Sequence, residues 1–359
     1  MVLLLGCTSL SEIFATSSST GILVPLYMLP NSTDWSLVID VKGNHTSVPF
    51  VAIVNPNNGP DAGNCVKSPY QDGIQRLHEK GIIVLGYVYT QWGNRTLIGP
   101  NSVEDNIVSW KMCYPEINGI FLDEMNSSSA SAGYYRAIYL FSKLENFSTN
   151  YIFGNPGQDT SPNLLGVVST LNIFEDPGVL NFTDLTGANN WHEFYDKKNF
   201  SFLLFGNAST PSPSVIGNYS NYVSYLYVTD NTGNGHSGYN SSTAFPWNTT
   251  STYLMQIAAD LDKPSVPIVV NSVNSLGQPI SGYYVHVSQS GNWIPSGFTP
   301  LYYNATGGIG YTFTANSFAS CTFDHWKDTG STNSSRYLVA NSTGIQITAV
   351  YRNSTGVCA

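Results

Sequence analysis

Eight short apolar segments between residues 21 and 260 constrain the fold of this chain more than any other feature. Each segment is rich in β-branched or aromatic residues and is bounded by Pro, Gly or Asn, a pattern typical of buried strands. The predicted strands are Ile22–Leu29, Pro49–Asn55, Ile82–Tyr89, Gly119–Asp123, Tyr151–Asn155, Leu171–Glu175, Phe200–Phe205 and Tyr222–Val228. Helical spacing between several of them predicts the helices Tyr70–Lys80, Val103–Cys113, Ala132–Leu144 and Thr252–Leu261.

This alternation of strands and helices predicts an α/β fold, a TIM (β/α)8 barrel, over residues 21–262. The main alternative is a doubly wound sheet, which needs a Gly-rich turn after its first strand. The chain has Pro30, Asn31 and Ser32 at that point. The barrel is therefore the favoured fold, although the sixth and seventh connections show weaker helical spacing.

The sequence changes character after Pro264. Short alternating segments such as Pro267–Asn271 and Gly310–Ala315 replace the helical spacing and are separated by turn residues. Residues 266–352 are therefore predicted to form a small all-β sandwich, immunoglobulin-like or prealbumin-like, with residues 353–359 as a tail. A unit of this kind usually serves as a spacer or an adhesion module.

The composition indicates an exported glycoprotein. A net charge of −9 with only 10% charged residues argues against a nucleic-acid partner, which requires clustered Lys and Arg. Asn-x-Ser/Thr sites are more frequent than the Ser/Thr content alone explains, which predicts N-glycosylation. The sites are Asn31, Asn44, Asn94, Asn126, Asn146, Asn181, Asn199, Asn207, Asn218, Asn240, Asn248, Asn304, Asn333, Asn341 and Asn353.

The N-terminal segment allows two interpretations, a residual export signal or a site of lipid attachment. Residues 1–20 begin with the apolar run Met1–Gly6, which is too short for a complete signal peptide and is interpreted as a residual signal segment. Alternatively, Leu-Leu-Gly-Cys ending at Cys7 resembles a lipoprotein acylation site. No later run reaches the ~18 apolar residues of a membrane span. The protein is predicted to be secreted, or held at the cell surface by its N-terminus.

Five cysteines allow two disulfides and leave one thiol. Cys321 and Cys358 share the C-terminal region and are predicted to pair, while Cys65 and Cys113 are predicted to join two loops of the barrel. Cys7 is then the unpaired residue, which fits its removal or acylation.

No metal or cofactor is expected. The sequence contains no CxxC pair and no HExxH motif, and its six histidines are scattered without the spacing of metal ligands. A metal-dependent carbohydrate enzyme, such as a deacetylase, is therefore disfavoured. His236, in the Gly-rich stretch 233–238, is interpreted as a solvated loop residue, with a place in the site as the alternative.

Two predicted strand ends carry paired carboxylates, Asp123 with Glu124 and Glu175 with Asp176. The carboxyl ends of barrel strands meet at one mouth, where barrel enzymes place their chemistry. Glycosidic bond cleavage needs one carboxylic acid to protonate the leaving oxygen and a second group to attack or stabilise the cationic centre. Asp123, Glu124 and Glu175 are therefore the candidate catalytic residues. Successive strand residues face opposite sides, so Asp123 and Glu124 both reach the mouth only if the strand has already turned.

Aromatic and amide side chains follow other predicted strands at the same end of the barrel. Aromatic rings stack on pyranose faces and amides bond sugar hydroxyls, a lining typical of a carbohydrate cleft. The candidate substrate-binding residues are Tyr27, Asn55, Asn57, Tyr87, Tyr89, Trp92, Asn155 and Tyr227.

The predicted barrel contains GILVPLYMLP (21–30), VAIVNPNNGP (51–60), GYVYTQWGNR (86–95), YPEINGIFLDEM (114–125) and FGNPG (153–157). Together these segments resemble the spherulin-4 family, whose glycoside hydrolases include endo-acting enzymes on α-1,4-linked galactosamine polymers. The resemblance covers about residues 21–260. It implies a TIM barrel, extracellular polysaccharide hydrolysis and a site around Asp123, Glu124 and Glu175. The run FDHWKDTGST (323–332) resembles β domains appended to archaeal cell-surface proteins.

The leading hypothesis is a secreted or surface-bound endo-glycosidase acting on an amino-sugar polysaccharide. Glu175 or Glu124 is expected to act as the general acid, and Asp123 as electrostatic partner or nucleophile. If the substrate is N-acetylated, its own acetamide oxygen is an alternative nucleophile. The alternative function is a non-catalytic glycan-binding or cell-surface structural protein on a barrel scaffold, associated with the surface through its N-terminus or its β unit.

Overall fold

The computed structural model describes residues 19–63, 65, 69–149, 151–232, 246–341, 343–354 and 357–358. These residues form two compact units, one from Ser19 to Asp262 and one from Lys263 onwards. Cys7, with the rest of the N-terminal segment up to residue 18, and His236 lie outside the described residues.

The first unit is a closed barrel of eight parallel strands, which confirms the predicted fold class. Each strand pairs with the next in sequence order, and the eighth closes the barrel by pairing with the first through Gly21–Tyr225 and Ile22–Leu226. The strands are β1 Gly21–Leu26, β2 Phe50–Val54, β3 Ile83–Tyr89, β4 Gly119–Asp123, β5 Tyr151–Gly154, β6 Thr170–Pro177, β7 Phe200–Phe205 and β8 Tyr225–Val228.

Helices connect most of the strands, and three of them were not predicted. The helices are α1 Thr33–Asn44, α2 Pro69–Glu79, α3 Val103–Cys113, α4 Ala132–Leu144, α5 Phe182–Thr186, α6 Pro213–Tyr219 and α7 Leu254–Leu261. Helix α1 buries Trp35, Val38 and Val41 although valines and a glycine weaken its intrinsic propensity, so packing decides its structure. Helices α5 and α6 are too short to show a helical period.

The base of the barrel includes Thr20, which the sequence analysis placed in the N-terminal segment. The Thr20 hydroxyl group lies 3.0 Å from the carbonyl oxygen of Ser220 and 2.9 Å from that of Val223. The Lys197 ammonium group donates to the Thr20 hydroxyl oxygen at 3.0 Å and to the Ser220 carbonyl oxygen at 2.9 Å. Burial lowers the pKa of Lys197 to about 8. These contacts lie at the end of the barrel opposite to the candidate acids.

The second unit consists of two β-sheets, as predicted for an all-β unit. One sheet has the order β10-β9-β17-β15 with β13 also on β9, and the other has the order β12-β11-β14-β16. The two sheets meet through ring contacts such as Tyr303 with Phe313 at 5.7 Å. The strands are β9 Ser265–Asn274, β10 Pro279–Ile280, β11 Tyr284–Gln289, β12 Asn292–Phe298, β13 Leu301–Thr306, β14 Gly310–Ala315, β15 Cys321–Trp326, β16 Ser335–Val339 and β17 Ile345–Asn353.

Both predicted disulfides are present. Cys321, the first residue of β15, bonds Cys358 and thereby fastens the chain that follows β17. Cys65 bonds Cys113, the last residue of α3, so this bridge joins a loop to a helix and not two loops as predicted. Within the described residues, no helix is long and apolar enough to cross a membrane.

The outer surface of β3 imposes a strict size limit at Gly86. The indole ring of Trp110 on α3 lies directly against this glycine, and its Nε1 donates a 2.8 Å hydrogen bond to the carbonyl oxygen of Tyr87. A Cβ atom added at Gly86 would overlap the indole ring. The close approach of α3 to the barrel wall therefore depends on this glycine.

We expect Gly86→Ala to lower the free energy of unfolding by about 1–3 kcal/mol, because overpacking displaces Trp110 from the barrel wall. Chemical denaturation monitored by tryptophan fluorescence measures the change. The matched control is Gly43→Ala in α1, where nothing lies within 4 Å of an added Cβ. It should raise stability by about 0.5–1 kcal/mol. Equal effects of the two substitutions would contradict the proposed packing.

Candidate active site

Three neighbouring strands bring polar side chains to one mouth of the barrel. Asp123 ends β4, Asn155 follows β5 directly, and Glu175 lies two residues before Pro177, the last residue of β6. Because parallel strands in a barrel share one carboxyl end, the three side chains meet there. The Asn155 backbone is fixed against the end of β4, since its N–H donates to the Leu122 carbonyl oxygen and its carbonyl oxygen accepts from the Met125 N–H.

Asn155 joins the two carboxylates. Its Nδ2 donates to Oδ1 of Asp123 at 2.7 Å and to Oε2 of Glu175 at 2.6 Å. Two bonds to one nitrogen limit the distance between the two carboxylate oxygens to the sum of their lengths, about 5.3 Å. Both carboxyl groups are partly buried, so the structure places two acids close together in a poorly hydrated mouth.

A β-bulge in β6 decides which way Glu175 points. Asn172 pairs with Ser201 and Phe174 pairs with Phe202, so β6 has one more residue than β7 over this interval. A regular strand would send residues 172 and 175 to opposite faces. Because of the extra residue, the side chains of Asn172 and Glu175 both point into the barrel, where each bonds Asn155.

Burial and mutual repulsion shift the acids toward their neutral forms. Loss of hydration, followed by the charge of Asp123, raises the pKa of Glu175 to about 7. Loss of hydration also raises the pKa of Asp123, against hydrogen bonds from the Tyr87 hydroxyl, the Glu124 backbone and Asn155. Trp247 Nε1 donates to the second oxygen of Glu175 at 3.1 Å. Both shifts favour the protonated forms of the two acids.

Glu124 occupies a different position from Asp123. Its backbone has φ +52°, a left-handed conformation, so β4 has ended and the side chain does not follow the strand alternation. Its carbonyl oxygen accepts from the Thr90 hydroxyl at 2.8 Å and from the Trp92 N–H at 2.8 Å. Its carboxylate accepts from the Gln91 backbone, and burial followed by the Asp123 charge raises its pKa. The sequence had left open which of the two acids faces the mouth.

Trp92 projects from a strained loop beside these acids. Gln91, Trp92 and Gly93 have φ values of +55°, +49° and +81°, which for the two non-glycine residues is an unfavourable conformation. The loop is held by the bond from Trp92 N–H to Glu124 and by Asn126 Nδ2, which donates to the Trp92 carbonyl oxygen at 3.1 Å. The Trp92 side chain is nevertheless 58% exposed. An exposed indole held by a strained backbone next to acids is typical of a ligand-binding position.

The remaining predicted binding residues divide into wall and loop positions. Tyr27 and Tyr87 form an edge-to-face ring pair at 5.7 Å beside Asp123. The Arg95 guanidinium lies 4.0 Å above the ring of Tyr89 and bonds the Tyr89 carbonyl oxygen. Tyr89 is level with Asp123 in the pairing of β3 with β4, and Tyr27 directly follows β1, so these rings lie at the same end of the barrel as the acids.

Asn55, Asn57 and Tyr227 have local partners. Asn55 Oδ1 accepts from the Gly59 N–H at 2.9 Å and so holds the loop after β2. Asn57 is exposed and bonds Asp61 at 3.3 Å. Tyr227 is buried, and its hydroxyl accepts from the Ser251 N–H at 2.7 Å. In this structure Asn55 and Tyr227 support loops, and the Tyr227 ring also lies 6.1 Å from the ring of Trp247.

Sequence reasoning missed three residues of the site. Trp247 follows the eighth strand in a long loop, and only its aromatic character next to Pro246 distinguished it. Asn172 and Ser201 lie inside strands, where an isolated polar residue among apolar neighbours was the available signal. Asn172 Nδ2 donates to Asn155 Oδ1 at 2.7 Å, and Ser201 Oγ donates to Asn172 Oδ1 at 3.3 Å.

Among the described residues no group of three or more His, Cys, Asp or Glu side chains is arranged to hold a metal ion. His192 and Asp159 form a separate pair on the loops after β6 and β5. Their ring nitrogen and carboxylate oxygen are 2.9 Å apart, and the other ring nitrogen of His192 bonds the Leu185 carbonyl oxygen. This hydrogen bond from His192 lowers the pKa of Asp159 against the opposing effect of burial.

A closed parallel barrel with paired acids at the carboxyl ends of β4 and β6 defines a (β/α)8 protein whose ligand site lies at that end. The sequence model of the family described as "Spherulation-specific family 4" matches residues 21–259. Spherulin-4 of Physarum polycephalum is 32% identical over 274 residues, which cover 72% of this chain and 76% of that protein. The chain therefore belongs to the spherulin-4 family.

A solved structure supports the fold. Aspergillus clavatus Sph3, determined in complex with GalNAc, superimposes with a TM-score of 0.55 at 18% sequence identity. The match covers 68% of this chain and 98% of the Sph3 chain. Sph3 therefore shares the barrel of residues 19–262, which agrees with the strand order found here.

We expect Glu175→Gln to change how stability depends on pH. The folded-state pKa of about 7 lies above the ordinary value of 4.5. The native protein thus binds more protons than the unfolded chain between these values, and stability falls as pH rises through that window. Removing the carboxyl group should make the variant more stable, relative to wild type, by about 3 kcal/mol at pH 8 compared with pH 4.

Urea denaturation at several pH values measures this difference. The control is Glu116→Gln, in the connection between α3 and β4 at the opposite end of the barrel, which should leave the pH dependence unchanged. Parallel wild-type and Glu175→Gln curves would show that Glu175 titrates normally.

Proposed function

We propose that this protein is an extracellular glycoside hydrolase that cleaves an amino-sugar polysaccharide internally. The observation that carries the proposal is the pair of carboxyl groups on Asp123 and Glu175, bonded to one amide nitrogen, with the pKa of Glu175 raised to about 7. Family membership supports the barrel, and the GalNAc bound in the Sph3 structure supports an amino-sugar ligand. The unpredicted Trp247 contact adds a donor to the proposed acid.

Glu175 is the proposed proton donor. A group that is protonated near neutral pH can protonate the glycosidic oxygen, which leaves with that proton as the bond to the anomeric carbon breaks. Trp247 and Asn155 both donate to Glu175, which holds its carboxyl group in one orientation. The same group, once ionised, can remove a proton from the water molecule that completes hydrolysis.

Asp123 is the proposed nucleophile. The two carboxylate oxygens that Asn155 joins are at most about 5.3 Å apart, which fits the about 5–5.5 Å spacing of retaining enzymes better than the about 6.5–9.5 Å of inverting ones. Attack of Asp123 on the anomeric carbon forms a glycosyl ester, which water then cleaves. With an N-acetylated substrate the acetamide oxygen replaces it as nucleophile, and Asp123 then orients and stabilises the acetamide.

Glu124 and Trp92 are proposed to bind the polymer beside the reacting bond. The Glu124 carboxyl group is partly exposed and fixed by the Gln91 backbone, so it can accept hydrogen bonds from a hydroxyl or an amino group. The exposed Trp92 indole offers a flat face on which a pyranose ring can stack. Both contacts can serve a sugar unit next to the one that reacts.

Incubation with partly deacetylated α-1,4-galactosamine polymer tests the proposal, with products followed by mass spectrometry. We expect short oligomers from the wild type and a loss of activity of about 10³-fold or more in Glu175→Gln, because the proton donor is gone. Glu116→Gln is the control and should match the wild type. Polymer that is retained by the protein but never shortened would support a glycan-binding protein in place of an enzyme.

We expect Trp92→Ala to weaken substrate binding more than it slows the chemical step. The indole is offered as a stacking surface away from the reacting groups, so its loss should raise KM by about 10-fold and change kcat little. Steady-state kinetics on a soluble oligomer separates the two parameters. The control Trp92→Phe retains a stacking ring and should recover most of the affinity. A fall in kcat with unchanged KM would place Trp92 in the chemical step.

A further inference from the structure

A polar chain inside the barrel reaches the acid pair from the far side. Ser201 on β7 donates to Asn172 on β6, and Asn172 Nδ2 donates to Asn155 Oδ1 at 2.7 Å and to the Phe174 carbonyl oxygen at 3.2 Å. Asn172 and Ser201 have no solvent exposure, and Asn155 is 5% exposed. Buried amides are usually retained only when all their partners are present, and here each has them.

The backbone carbonyl of Phe174 sets the direction of this chain. A carbonyl oxygen only accepts hydrogen bonds, so the side-chain nitrogen of Asn172 must face it. The same nitrogen then donates to Asn155, which forces the oxygen of Asn155 toward Asn172 and its nitrogen toward the acids. The carbonyl oxygen of Phe174, which lies in the bulge, thereby fixes the orientation of both amides.

The opposite orientation of Asn155 would harm the acid pair. Its oxygen would then face two carboxylate oxygens, and two hydrogen bonds to ionisable groups would be replaced by repulsive contacts. Nothing in the Asn155 side chain itself prefers one orientation, because its oxygen and nitrogen ends have nearly the same shape. Asn172 therefore supports, from the other side, the orientation that the two carboxylates require.

We infer that Asn172 is a positioning residue for the acid pair, which it controls by fixing the Asn155 amide with its nitrogen toward Asp123 and Glu175. Ser201 supports it by holding the oxygen end of Asn172. As a statement about catalysis this inference rests on the proposed function. As a statement about the two carboxyl groups it stands on the hydrogen bonds alone.

The test compares Asn172→Leu with wild type in the pH profile of kcat/KM. The hydrogen bond from Asn155 lowers the pKa of Glu175. If Asn172→Leu lets the Asn155 amide turn and this bond is lost, the pKa of Glu175 should rise and the alkaline limb of the profile should move to higher pH. We also expect kcat to fall by about 10- to 100-fold, because the acid pair is misplaced. The matched control is Asn118→Leu, which removes another buried asparagine, at the base of β4. It should lose stability without moving the limb.

A second readout does not depend on turnover. Titration of the ¹³C-labelled Glu175 carboxyl group by NMR in the full-length protein should give a higher pKa in Asn172→Leu than in wild type. If Asn172→Leu does not fold, Ser201→Ala removes only a 3.3 Å bond and should shift the titration in the same direction by a smaller amount. Unchanged titration in a folded variant would overturn the inference.

The two readouts separate the two hypotheses. A shifted titration in a protein that cleaves no polymer would retain Asn172 as the residue that fixes the pair, while the proposed hydrolase activity fails. Cleavage by the wild type with an unshifted profile and titration in the Asn172 and Ser201 variants would retain the hydrolase and reject the positioning role.

Discussion

The bond of one amide nitrogen to two carboxylates is the contact on which the rest of the site depends. Two acids at this distance repel each other when both are ionised, and partial burial makes the repulsion harder to screen. Asn155 offsets part of this effect by donating to both, while Tyr87 and Trp247 each donate to one of them. Burial, followed by the remaining repulsion from Asp123, raises the pKa of Glu175, which is the property that general acid catalysis requires.

The sequence allowed the barrel, and the end of it at which the acids meet, to be predicted, because both follow from local patterns. Strand ends at Asp123 and Glu175 were visible as apolar runs that stop at acids, and parallel closure brings such ends together. The orientation of Glu175 was not predictable in this way. It depends on an extra residue in β6 whose presence is defined only by the pairing with β7, a partner that local patterns do not identify.

The contacts of individual candidates were also beyond a pattern of residue types. Asn55 and Tyr227 have side chains that can bind sugars, yet Asn55 Oδ1 accepts from the Gly59 N–H and the Tyr227 hydroxyl accepts from the Ser251 N–H. Trp247 is a large aromatic residue in a loop, a type that usually only packs in the core, yet its Nε1 donates a hydrogen bond to Glu175. In each case the role of the side chain depends on a partner more than three residues away in sequence. The residue types at a strand end therefore indicate which side chains are present there, but not which of their atoms form hydrogen bonds.

The polar chain from Ser201 to the acids suggests why this barrel tolerates buried amides in its interior. An apolar side chain at Asn172 would avoid the desolvation of two polar groups, and many barrels fill this layer with branched apolar residues. It would also remove the contact that holds the oxygen end of Asn155 away from the acids. Stability therefore favours an apolar residue at position 172, whereas the geometry of the acid pair favours an asparagine.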